Sequence, residues 1–144
     1  FADAPRGPRG ETLRRHGDWM ARLPGGAWRA HGRADDTMNL GGIKVSSAEI
    51  ERALAGVAGV RETAAVAVEP PGGGPSDLVV FAVSEGGAAG APPRAGTLEA
   101  MRRALRERLN PLFRITDLVF VDALPRTASN KVMRRSLRAS YRGG

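Results

Sequence analysis

Apolar positions along the chain fall into short, regular runs separated by glycine and proline. Ile50, Leu54 and Val57 recur at spacings of four and three behind Ser46, which places them on one face of a helix. Ser46 and Glu49 have capping-box spacing: the hydroxyl accepts from the third helical amide and the carboxylate reaches back to the cap amide. Gly59 marks the expected end of that helix. Leu98, Met101, Leu105 and Leu109 form the stripe of a second helix, opened by Thr97 and stopped by Asn110-Pro111. Thr63 to Val68 and Leu78 to Val83 read as strands that can pair antiparallel, with Pro70-Pro71-Gly72-Gly73-Gly74-Pro75 between them. Leu118 to Val121 is a third strand, apolar without alternation and therefore buried on both faces. A polar loop from Arg126 to Lys131 leads into a final basic helix around Val132, Met133 and Leu137. Arg33 to Val45 suits a hairpin or loop around Gly41-Gly42. Gly86 to Gly96 reads as a surface loop, and residues 1–33 as irregular or short-stranded, the edge of something absent. The order predicts an α+β fold: a small three-stranded sheet with packed helices plus an N-terminal hairpin.

Composition limits what such a fold can be. At 144 residues the chain holds one compact domain, or a domain plus a short extension, and falls short of a typical two-domain enzyme. Its 42% hydrophobic and 26% charged residues are globular values, which excludes wholesale disorder. No apolar run is long enough to span a membrane and no secretory pattern opens the chain, so no membrane span is expected and the expected location is cytoplasmic. The absence of cysteine excludes disulfides and thiolate zinc. His16 and His31 lack a triad partner or metal spacing, so no metal site and no histidine chemistry are assigned. The chain opens at Phe1 rather than at Met and is expected to be a fragment.

The net charge of +7 is carried by the C-terminal part, since residues 102–144 hold 11 basic and 3 acidic side chains against 11 and 12 in residues 1–101. A basic face of this kind meets nucleic acid, an acidic partner domain or an anionic small molecule, or is simply a solvated surface. Nucleic acid is the weaker of these, because Phe113 and Phe120 are too few for a stacking platform. Of the 22 basic residues only Lys44 and Lys131 are lysine. Against that bias toward arginine, a surviving lysine points to a site that needs a compact, mobile ammonium.

Two blocks carry chemistry. Gly32-Arg33-Ala34-Asp35-Asp36-Thr37-Met38-Asn39-Leu40-Gly41-Gly42-Ile43-Lys44-Val45 with Ser46 to Glu51, and Leu124-Pro125-Arg126-Thr127-Ala128-Ser129-Asn130-Lys131 with Val132 to Arg138, resemble the opening and closing signatures of the C-terminal domain of adenylate-forming enzymes. With Leu109-Asn110-Pro111-Leu112-Phe113, the closing block looks most like AMP-forming acyl-CoA synthetases of the plant-type peroxisomal acyl-activating group and their bacterial relatives. Arg15-His16-Gly17-Asp18 stands where that family carries R-T-G-D, with His16 departing from it. Asn130 replaces the family's usual glycine before the lysine, a substitution that a left-handed backbone tolerates in Asn better than in most residues.

The resemblance implies that residues 1–33 are the tail of a large N-terminal adenylation domain and the approach to its hinge, and that residues 34–144 are the C-terminal AMP-binding-enzyme domain. It implies Lys131 as the adenylating cation, Asp18 and Arg33 as nucleotide contacts, Asp35 as the hinge, and Gly41 and Gly42 as the lining of a CoA channel. ATP, CoA and a carboxylic acid would be the substrates, and Mg²⁺ would belong to the large N-terminal domain, the expected partner. The small domain of a nonribosomal peptide adenylation module is the alternative within the same chemistry, and a basic nucleic-acid-binding module is the alternative outside it.

Overall fold

The computed structural model describes residues 8–10, 18–33, 36–87 and 90–141. Two compact units form, Phe1–Asp35 and Asp36–Gly144. In the first, β1 (Asp18–Arg22) and β2 (Trp28–Arg33) pair antiparallel with a bulge at Trp19/Met20. Leu23 donates to the Ala27 carbonyl at 2.8 Å to close the turn, where Gly25 and Gly26 take left-handed φ. The segment read as irregular or short-stranded is therefore a hairpin from residue 18 onward.

The second unit opens with another hairpin, β3 (Thr37–Leu40) and β4 (Ile43–Ser46), paired from Thr37↔Ser46 to Leu40↔Ile43. Met38, Leu40 and Val45 are buried while Asn39 and Lys44 are exposed, the alternation that a one-faced strand pair requires. Gly41 and Gly42 form the two-residue turn, with φ of 61° and 88°. Two left-handed central residues give the turn twist that matches the strands.

Helix α1 (Ser47–Leu54) starts on the capping box its sequence predicts: Glu49 N donates to Ser46 Oγ at 3.2 Å and Ser46 N to Glu49 Oε2 at 2.9 Å. The helix stops at Leu54 instead of running toward Gly59. Ala55 leaves helical backbone with ψ of 133° and Gly56 turns left-handed, so the chain breaks as soon as Ile50, Ala53 and Leu54 are buried.

Strands β5 (Val60–Val68), β6 (Asp77–Ser84) and β7 (Ile115–Phe120) form one sheet in the order β5-β6-β7, the first pair antiparallel and the second parallel. All three are longer than the apolar runs that announced them. Central β6 sends Leu78, Val80 and Ala82 to one core and Val79, Phe81 and Val83 to another, which explains its unbroken apolar sequence.

The first core is covered by α1 and by α2 (Arg94–Arg108), whose Met101 and Leu105 are fully buried. Helix α2 begins three residues before the expected Thr97 cap. Thr97 instead lies inside it, its hydroxyl donating back to the Pro93 carbonyl at 3.1 Å as interior threonines do. The second core is covered by Leu124 and by α3 (Arg134–Ser140), which contributes Leu137. Val132 and Met133, expected within the last helix, precede it.

Candidate functional site

The chain from Leu124 to Met133 passes from the sheet to α3 as a small closed loop. Arg126 and Val132 pair as an antiparallel bridge, Thr127 N donates to the Lys131 carbonyl at 2.8 Å, Asn130 N to the Thr127 carbonyl at 2.9 Å, and Lys131 N to Thr127 Oγ1 at 3.1 Å. Asn130 has φ of 63°, the left-handed conformation expected of the residue that replaces glycine. The Arg126 guanidinium donates to the Asn130 carbonyl at 2.9 Å and to Glu62. The stretch read as a polar loop is thus a hydrogen-bonded turn. Mobility resides in the four-carbon stem of Lys131, whose side chain is 41% exposed.

The ammonium of Lys131 sits 3.7 Å from Asp36 Oδ2. The same oxygen pairs with Arg134 at 3.2 Å. Arg134, 13% exposed, also grips Glu51: its Nη2 donates to both carboxylate oxygens at 2.8 and 2.9 Å and its Nε to Oε1 at 3.3 Å, a two-nitrogen grip that arginine makes and lysine cannot. Glu51 Oε1 further accepts the backbone N–H of buried Ala65 at 2.9 Å. Two cations and two carboxylates from α1, α3, the loop and the residue before β3 thus form one network. Only Lys131 in this network was marked by the sequence; Asp36, Glu51 and Arg134 were not, because their contacts join residues 83 and more positions apart.

The other expected site residues are spread over both units. Asp18 and Arg33 are opposing register partners at the open end of the β1–β2 hairpin; their backbone is described and their side chains are not. Asp35 and residues 15–17 lie outside the described residues. Gly41 and Gly42 are exposed at the β3–β4 tip, where an added β-carbon would meet nothing within 4 Å. Their glycine requirement is conformational. Gly72 to Gly74 form a plain connection between β5 and β6, with Gly73 N donating to the Pro70 carbonyl at 2.9 Å.

Several C-terminal arginines act inside the fold. Arg102 donates to the Ile115 carbonyl at 2.9 and 3.1 Å, and Arg108 caps the end of α1 through the Ala53 and Ala55 carbonyls at 3.2 and 2.9 Å. Together with Arg126 and Arg134, each bonded to a carboxylate, they turn part of the basic excess to contacts within the fold. Among the described residues no group of three or more His, Asp and Glu side chains could hold a metal ion, and no helix is long and apolar enough to cross a membrane.

Residues 49–131, from the capping box to the lysine itself, match the family described as AMP-binding enzyme C-terminal domain. The chain belongs to this family. It is 51% identical over 130 residues to the probable peroxisomal acyl-activating enzyme 17 of Arabidopsis thaliana, covering 90% of this chain and 18% of that protein. It is 48% identical over 133 residues to hexanoyl-CoA synthase of Cannabis sativa, covering 92% and 18%. The crystal structure of ATP-bound MatB from Rhodopseudomonas palustris superposes with a TM-score of 0.72 at 26% identity, covering 94% of this chain and 25% of that one. The chain therefore spans about 18% of the length of these curated relatives, and the remainder of each relative lies outside what it matches.

Proposed function

We propose that this chain is the mobile C-terminal domain of an AMP-forming acyl-CoA synthetase, a ligase that converts a carboxylate, ATP and CoA into acyl-CoA, AMP and pyrophosphate. The observation that carries the reading is Lys131: a half-exposed ammonium on a fixed turn, within the stretch that matches the family, and held by a long ion pair it can leave.

In the first half-reaction a carboxylate oxygen bonds to the α-phosphorus of ATP and the bond to pyrophosphate breaks. Two anions must meet, and charge builds on the phosphoryl oxygens in the transition state. Lys131 supplies a point charge between them. In the second, the CoA thiol loses its proton, its sulfur bonds to the acyl carbon, and AMP leaves with the electron pair. Gly41 and Gly42 serve that step by offering bare backbone to the pantetheine arm, a role supported by the open space around them. Asp18 accepts hydrogen bonds from the ribose hydroxyls and Arg33 makes a neighbouring nucleotide contact, a shared role supported by their opposition in the hairpin register. Asp35 is the hinge between the two half-reactions. The acyl pocket and Mg²⁺, which would neutralise phosphate charge, belong to a large N-terminal domain of the same protein, and its location is cytoplasmic.

The test is the full-length protein assayed for exchange of labelled pyrophosphate into ATP in the presence of carboxylic acids, followed by CoA-dependent release of AMP. Both activities are expected. Exchange with transfer to a carrier-protein thiol in place of CoA, or no exchange together with steeply salt-dependent DNA binding, would contradict the reading.

A further inference from the structure

We propose that Asp36 is a positioning residue that parks the Lys131 ammonium and gives it up to an incoming anion. The inference rests on the reading of Lys131 as the adenylating cation and adds the element that controls it. Asp36 is held at both ends. Its carbonyl accepts from the hydroxyl of fully buried Ser47 at 3.1 Å, which ties it to the first turn of α1. Its carboxylate is tied to Arg134, which is locked by Glu51, which is locked by Ala65 N–H. A chain of fixed groups therefore ends on one oxygen, and Lys131 is the outermost member, at the longer distance and with the greater exposure.

The arrangement is suited to release. When Lys131 swings away, Asp36 keeps Arg134, so no carboxylate is stranded. A carboxylate that faced the lysine alone would resist its departure more strongly, because leaving would uncover an uncompensated charge. Arg134 thus weakens the parked state, while Asp36 sets where the ammonium rests until a substrate carboxylate or phosphate competes for it. An exposed pair of this kind biases an equilibrium about two- to fivefold.

The two partners of the shared oxygen should have opposite effects. In the full-length protein, Asp36→Asn removes the charge of one competitor for the ammonium, and the KM for ATP in pyrophosphate exchange is expected to fall about two- to fivefold, the range of one exposed pair, with kcat moving less. Arg134→Gln leaves Asp36 to Lys131 alone and is expected to raise that KM. Asp36→Glu keeps the charge and is expected to return it toward the wild-type value. An unchanged or raised KM in Asp36→Asn, or a shift of the same sign in both variants, would overturn the proposal, marking both residues as structural ties. If Arg134→Gln does not fold, Asp36→Glu decides: a wild-type KM supports parking by charge, and an Asn-like KM overturns it. Lys131→Ala separates the two levels of inference. Lost exchange in that variant with no KM shift in Asp36→Asn sinks the parking role alone, whereas retained exchange sinks the adenylating lysine and the parking role with it.

Discussion

Asp36 and Asp117 are both carboxylates shared between cationic or donor groups brought from distant parts of the chain, yet they are built for opposite ends. Asp117, buried on β7, is saturated: Arg94 and the Leu118 N–H reach Oδ1, and the Tyr141 hydroxyl donates to Oδ2 at 3.0 Å. It joins the start of α2, the third strand and the end of α3. Asp36 is also shared, but between two cations, Arg134 at 3.2 Å and Lys131 at the longer distance of 3.7 Å. A closed carboxylate makes a clasp, and an open one makes a cation that can be moved. The difference lies in the carboxylate's own burial and in the length of the lysine contact, since Asp117 has a buried backbone N–H and a phenol to hold it where Asp36 has a second cation at 3.7 Å.

Three substitutions break or sharpen this contrast. Asp117→Ala should cost the most stability, about 1–3 kcal/mol in denaturant melts of this chain, because it leaves the buried Leu118 N–H and the half-buried Tyr141 hydroxyl without their acceptor; a cost near zero would mean that the clasp holds nothing. Tyr141→Phe should cost about 0.5–1.5 kcal/mol, the net range of one part-buried hydrogen bond, and carries a pH signature. Burial, and then the hydrogen bond and charge of Asp117, raise the Tyr141 phenol above its ordinary value of 10.0. Its folded value exceeds its unfolded one, so its contribution is whole below about pH 10 and is lost as pH rises through the folded value. Melts between neutral and strongly alkaline pH should show a steeper alkaline loss in the wild-type chain than in Tyr141→Phe; parallel curves would contradict the clasp. Lys131→Ala should change stability least, by no more than about 1 kcal/mol, since its ammonium is half-exposed and its pair with Asp36 is long. A larger loss would make Lys131 a structural residue like Arg94.

The clasp and the parking network also differ in how far they could be read from sequence. Local signals were legible: Ser46 and Glu49 cap α1 as their spacing requires, the Gly41-Gly42 pair makes a two-residue hairpin, and Asn130 takes the backbone that a glycine would. Element ends were less so. Val60 to Glu62 of β5 precedes the small-residue run that announces the strand, and α1 ends where its buried face ends, before any glycine stop. Lys131 stood out as one of two lysines among 22 basic residues, inside a block whose order and residues resemble a known signature. Asp36 looked like one of two acids in a turn, and Arg134 like one arginine in a basic run. Their importance comes from contacts across the fold, between Asp36 and Arg134 and between Glu51 and Arg134, and such pairs leave no periodicity in the chain.

The central claim is that Lys131 acts in forming the adenylate and not in the thioester step. It is tested most directly by measuring the two half-reactions separately in the full-length protein carrying Lys131→Ala. Pyrophosphate exchange should fall by about 10²-fold or more, the scale of one transition-state charge partner, while thioester formation from supplied acyl-adenylate persists. Equal loss of both half-reactions, or retention of both, would contradict the account.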